Sequence, residues 1–119
     1  MGHILYVDDD EALCFLMTRV MQEAGHPVTT HQSGSAALHE LTQHPDRFDL
    51  VISDMNMPGM SGLEFARIAL AQQPQLPMVI VTGCIDREEQ QQAMAMGVRK
   101  LLLKPNGIQE LVRELTELL

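Results

Sequence analysis

In this 119-residue chain, polar side chains able to do chemistry stand directly behind short apolar runs. Asp8, Asp9 and Asp10, then Glu11, follow Ile4–Val7, and Asp54, after Ser53, follows the run 50–52. Thr82 and Gly83 follow the run 78–81, and Lys104, with Pro105 behind it, follows 101–103. If the four runs are strands of one sheet, a single edge gathers several carboxylates, one hydroxyl and one ammonium group. Polar groups so placed are costly to desolvate unless paired or coordinated. Asp8, Asp9 and Asp54 together bring about three negative charges into a few ångströms, where they repel one another. A hard divalent cation relieves that repulsion. Carboxylate oxygens, waters and room for a phosphoryl oxygen form a ligand set suited to Mg²⁺. Helix capping and the helix dipole account for an acid at Asp10, directly before a helical pattern, but do not need three in a row.

The elements that must position these groups are legible as an alternation. Continuous runs rich in Val and Ile suit strands covered on both faces, as in a parallel sheet. The more polar run Val28–His31 reads as an edge strand. Between the runs lie amphipathic segments. From Glu11 to Ala24 the positions Leu13, Leu16, Met17, Val20, Met21 and Ala24 fall on one face, and Gly25 stands where a helix C-terminus favours positive φ. A second helix is expected from Ser33 to Gln43, ended by His44-Pro45. Ser61 with Glu64, Asp86 with Glu89 and Asn106 with Gln109 each resemble a capping box opening a helix. The last segment places Ile108, Leu111, Val112, Leu115 and Leu119 on one face. Five strand–helix alternations imply an α/β, doubly wound five-stranded parallel sheet with strand order 2-1-3-4-5, a flavodoxin-like fold. Ligands of such sheets bind beyond the carboxyl ends of strands one and three, where the order reverses.

Four short motifs occur in order, each at an expected strand end: Val7-Asp8-Asp9, Ser53-Asp54-Met-Asn-Met-Pro58-Gly59, Val81-Thr82-Gly83 and Leu103-Lys104-Pro105. Taken together they resemble the response-regulator receiver domains of two-component phosphorelay systems, over essentially all 119 residues. The resemblance implies a single domain, 1–119, that accepts a phosphoryl group on Asp54 from a phosphohistidine of a sensor histidine kinase or a histidine phosphotransfer protein. It implies Mg²⁺ held by Asp9, by Asp8 through water, by Asp54 and by the backbone carbonyl of Asn56. Thr82 would hydrogen-bond one phosphoryl oxygen and Lys104 would pair with another, and a cis Lys104–Pro105 bond would aim the lysine into the cleft. Such a domain is not a conventional enzyme, since it promotes only its own phosphorylation and dephosphorylation. The stretch 97–106 resembles receivers fused to the C-terminus of hybrid sensor kinases. Where many receivers carry an aromatic residue three positions before the lysine, this chain has Leu101, and Asn106 stands where many have an aromatic after Lys-Pro. Leucine can change rotamer but offers no ring to swing inward when the threonine reorients.

Other features take plainer readings. Met55, Met57 and Met60 flank the Asp54 loop and are expected to pack it rather than to form a soft contact surface. The five histidines share no ligand spacing. The polar run Asp86–Gln92 leaves Ala93, Met94 and Met96 to anchor the fourth helix, which is therefore expected to dock marginally and to move on phosphorylation. A haloacid-dehalogenase-type phosphatase would need a second carboxylate where Asn56 stands. A flavodoxin would need a hydroxyl- and glycine-rich phosphate loop where Asp8-Asp9-Asp10 stands. A degenerate receiver acting only as an interaction module would have no use for the full set of acids, Thr82 and Lys104.

Composition bounds the rest. At 45% hydrophobic and 20% charged the chain is globular in character, and its length suits one domain. Sixteen acidic against eight basic side chains, a net charge of -8, argue against direct nucleic-acid binding. Cys14 and Cys84 match no CxxC spacing and are expected to be free thiols in a reducing compartment. With no long apolar run and no leader-like start, the expectation is a cytoplasmic protein without membrane insertion.

Overall fold

The computed structural model of the chain describes residues 2–104 and 108–118. The elements run β1 (Ile4–Val7), α1 (Glu11–Glu23), β2 (Val28–His31), α2 (Gly34–Gln43), β3 (Leu50–Asp54), α3 (Gly62–Gln72), β4 (Met78–Thr82), α4 (Arg87–Met96), β5 (Lys100–Leu103) and α5 (Ile108–Thr116). All strand pairings are parallel and the order is β2-β1-β3-β4-β5, as expected from the alternation. β1, β3 and β4 are buried along their whole length, which the β-branched and apolar runs require of strands covered on both faces. The polar strand β2 lies at one edge and is only half-buried. β3 and β4 run further than their apolar runs, so that Asp54 and Thr82 are the last residues of their strands rather than loop residues.

Two apolar layers sandwich the sheet. On one face Tyr6, Ile52, Val79, Val81 and Leu102 pack with Cys14, Met17 and Met21 of α1 and with Leu111, Val112 and Leu115 of α5. On the other, Leu5, Val7, Val51, Ile80 and Leu101 pack with Ala37 and Leu41 of α2, Phe65, Ala66 and Ala69 of α3, and Ala93 of α4. Two helix assignments shift. In α1 the inward position is Cys14, whereas Leu16 and Ala24 are exposed. Five consecutive apolar residues, Leu13 to Met17, leave the period ambiguous, and the packing direction of the helix decides it. In α4 only Ala93 is fully buried; Met94 is 50% exposed and anchors nothing, while Met96 packs at the rim of the core.

The helix ends follow the expected chemistry. Asp10, Ser33, Ser61 and Asp86 each accept a hydrogen bond from the amide three residues on, at 3.1, 3.2, 3.1 and 3.3 Å. Gly25, just past α1, and Gly97, which closes α4, both have positive φ, 93° and 108°. His44 closes α2, and its neighbour Arg47 reaches back to Glu40 at 2.9 Å. His31, at the end of β2, meets the other oxygen of Glu40 at 3.2 Å, which ties the edge strand to α2. That hydrogen bond, helped by the charges of Arg47 and His44, holds the Glu40 carboxyl below its ordinary range. The capping box expected at Asn106 and the isomer of the Lys104–Pro105 bond lie outside the described residues, as does Leu119.

Candidate functional site

The register brings the polar groups together. β1 and β3 pair with Ile4 opposite Leu50 and Val7 opposite Ser53. Carried one residue on, that register sets Asp8 level with Asp54. In parallel strands side chains at the same level point the same way, and alternation places Asp8 with Tyr6 and Asp54 with Ile52. Both carboxylates therefore rise on the α1/α5 face. Lys104 follows Leu102 on that same face, and its long side chain reaches back so that Nζ stands 2.7 Å from Asp54 Oδ1.

Asp8 and Asp54 are only 1% and 5% exposed, and Asp9 is open to solvent. Each of these three acids places a carboxylate oxygen within 4.8 Å of those of the other two. Among the described residues this is the one such group of metal-ligating side chains. Burial pushes the Asp8 carboxyl above its ordinary range, against the Asp10 amide at 3.0 Å and the Tyr6 hydroxyl at 2.8 Å, which both donate to it. Partial burial works against the Lys104 ammonium, but the hydrogen bond and charge of Asp54, with Asp8 and Asp10 behind it, outweigh this and hold the lysine above its usual value. One ammonium thus faces three carboxylates. That imbalance among close-set oxygen donors fits a hard divalent cation of the Mg²⁺ kind.

Not every expected residue joins this group. Thr82 is 2% exposed, but alternation puts it on the face of Ile80 and Leu101, and its hydroxyl is engaged in its own loop. It donates to the Cys84 carbonyl at 2.9 Å and accepts from the Cys84 amide at 3.3 Å. Leu101 lies opposite Ile80 and is buried in that layer. The Asn56 side chain is exposed in the loop after Asp54, while Met55 and Met57 are buried and Met60 packs on the core, so the methionines do pack that loop.

Two contributors were not singled out in the sequence. Tyr6 reads as one more apolar strand residue, yet its hydroxyl serves Asp8. Gly62 follows the capping Ser61, and its amide donates to the Met55 carbonyl at 2.8 Å, seating the start of α3 on the backbone just behind Asp54. Cys14 also touches the site, donating from Sγ to the Asp8 carbonyl at 3.2 Å. Burial, and then the charges of Asp8 and Asp10, push its thiol up to about 11, so it stays protonated. Both cysteines are free, Cys14 buried and Cys84 exposed.

Comparison with known proteins decides what this arrangement belongs to. The family model for the response regulator receiver domain matches residues 4–116. The chain is a response-regulator receiver domain. It is 31% identical to the response regulator receiver protein CpdR of Brucella abortus, over all of this chain and 98% of that protein. It is 37% identical to the C4-dicarboxylate transport transcriptional regulatory protein DctD of Rhizobium meliloti, covering 92% of this chain but only 24% of that protein. Among solved structures, the Vibrio cholerae chemotaxis protein CheY4 superposes with a TM-score of 0.89 at 32% identity, covering 100% of this chain and 99% of CheY4. The Thermotoga maritima response regulator TrrA, solved in complex with Mg(2+)-BeF, superposes at 0.85 with 28% identity over the full length of both chains. The receiver thus spans nearly all of CpdR and about a quarter of DctD. Among the described residues no helix is long and apolar enough to cross a membrane.

Proposed function

We propose that this receiver takes a phosphoryl group onto Asp54 from the phosphohistidine of a sensor histidine kinase or a histidine phosphotransfer protein. The observation that carries the proposal is the 2.7 Å contact of Lys104 Nζ with Asp54 Oδ1, beside the close-set carboxylates of Asp8, Asp9 and Asp54. A carboxylate oxygen of Asp54 attacks the phosphorus. The bond from phosphorus to the imidazole nitrogen breaks, and its electron pair stays with the imidazole. Lys104 already contacts the Asp54 carboxylate, so it needs only to slide along the incoming group to neutralise charge on an equatorial oxygen. Asp8, Asp9, Asp54 and the Asn56 carbonyl would hold Mg²⁺, whose chemistry is to offset charge on the transferring phosphoryl oxygens. The complex of TrrA with Mg(2+)-BeF supports that assignment by likeness.

The output follows from Thr82 and α4. To serve a phosphoryl oxygen, the Thr82 hydroxyl must leave the Cys84 carbonyl, which loosens the loop leading into α4. With Ala93 as its only fully buried residue, α4 is the helix least held by the core, and its repositioning is the signal.

Metal removal tests this reading. With acetyl phosphate as donor and Mg²⁺ present, intact-mass measurement is expected to find one phosphoryl group gained per chain. Chelation with EDTA should slow that gain by about a hundredfold or more. Equal rates with and without EDTA, or no gain under either condition, would contradict the proposal.

A further inference from the structure

Asp8 is the most enclosed carboxylate of the site, and both its oxygens are held by donors of different kinds. Oδ1 accepts from the Asp10 amide, which belongs to the turn into α1, at 3.0 Å. Oδ2 accepts from the Tyr6 hydroxyl at 2.8 Å. A carboxyl group turns easily about its last bond, so one amide alone leaves its plane poorly fixed. Tyr6 is 1% exposed, on the same strand face two residues earlier, and shares its apolar layer with Cys14, Met17 and Ile52. Its ring is therefore locked by packing, and a hydroxyl on a locked ring cannot follow a carboxylate that rotates away. A carboxylate can only accept, so in this pair the phenol hydroxyl is the donor.

We infer that Tyr6 is a positioning residue of the metal site: its hydroxyl, donated to Asp8 Oδ2, holds that carboxylate turned toward Asp9 and Asp54, so that a divalent cation meets a preset ligand. The inference rests on reading the Asp8–Asp9–Asp54 cluster as a Mg²⁺ site. Tyr6 acts through Asp8 and touches neither cation nor phosphoryl group. Outer partners of this sort typically contribute tenfold or more to metal affinity. The chain has one tyrosine and no tryptophan, so Tyr6 also reports on the site by its own emission. A phenol hydrogen-bonded to a carboxylate emits weakly, and a bond that presets Asp8 for the cation must persist once the cation is bound, so the ring stays dim.

The test is a Mg²⁺ titration of the whole chain without any phosphodonor, followed by amide chemical shifts and by tyrosine emission. In the wild type, emission should stay low while the shifts saturate, because the bond to Asp8 is kept in the loaded site. In Tyr6→Phe, which deletes one oxygen and no apolar volume, the Mg²⁺ dissociation constant from the shifts should be about tenfold weaker. A constant within about twofold of wild type, or wild-type emission that brightens as the shifts saturate, overturns the inference even though the metal site stands. If Tyr6→Phe does not fold, the wild-type emission alone decides. Wild-type shifts that never saturate would remove the metal site itself, and the inference with it, which is a separate and recognisable failure.

Discussion

Asp54→Asn is expected to lower phosphoryl uptake from acetyl phosphate to below about one part in a thousand of the wild-type rate, while leaving the fold intact. The substitution conserves shape. An asparagine at the end of β3 keeps a carbonyl oxygen for Lys104, now 2.7 Å from Asp54 Oδ1, and thins the charge of a cluster that holds three carboxylates against one ammonium. What it removes is the anionic oxygen that attacks phosphorus, and an amide oxygen is a poor substitute. Loss of uptake without loss of stability therefore separates a chemical role from a structural one. The check pairs a time course of intact mass with a thermal melt of the same sample. Uptake at the wild-type rate would place the acceptor elsewhere.

The second large effect is structural and lies behind the first. A β-carbon added at Gly62 would stand 2.4 Å from the carbonyl oxygen of Asp54, 2.9 Å from the Met55 Cα and 3.1 Å from the Asp54 carbonyl carbon. All three atoms are backbone, fixed by the end of β3, whose ladder continues as the Met55 amide donates to the Val81 carbonyl at 2.9 Å. No flexible side chain is available to give way, so α3 and the Asp54 strand end must part. Overpacking of this kind costs about 3 kcal/mol. For a domain of this size that is a fall in Tm of roughly 15 °C. Gly62→Ala should also lose the 2.8 Å bond from its amide to the Met55 carbonyl, and with it the setting of the loop beside Asp54. A Tm within about 2 °C of wild type would show that the contact yields without strain.

The contrast between these two residues shows what could be read from sequence and what could not. Asp54, Lys104 and the acids at 8 and 9 were legible because each stands at or just past the carboxyl end of a strand, and in a parallel sheet all strand ends of one polarity share an edge. The strand order followed from the alternation of elements, and the caps at Asp10, Ser61 and Asp86 from local chemistry that needs no tertiary context. Gly62 was not legible as a close approach, because nothing local to Ser61-Gly62 records how near the returning chain passes to Asp54. Tyr6 sits inside an apolar run, and although its parity with Asp8 is fixed by the strand period, the meeting of hydroxyl and carboxylate depends on how the ring packs under α1. The same dependence on packing direction turned Cys14 inward in place of Leu16, and left Met94 in solvent although the pattern of α4 had it anchoring the helix. Thr82 was placed correctly at a strand end, but which way its hydroxyl turns is set by the loop at Cys84.

The central claim is that the carboxylate of Asp54 itself carries the phosphoryl group, and chemical mapping tests it most directly. After reaction with acetyl phosphate and Mg²⁺, reduction with borohydride converts an acyl phosphate of aspartate to homoserine and leaves free carboxylates and phosphohistidine untouched. Peptide mass spectrometry of the reduced chain should find homoserine at position 54 and at no other aspartate. Homoserine at Asp8 or Asp9 instead, or a chain that gained a phosphoryl group yet yields no homoserine because one of its five histidines carries it, would contradict the account.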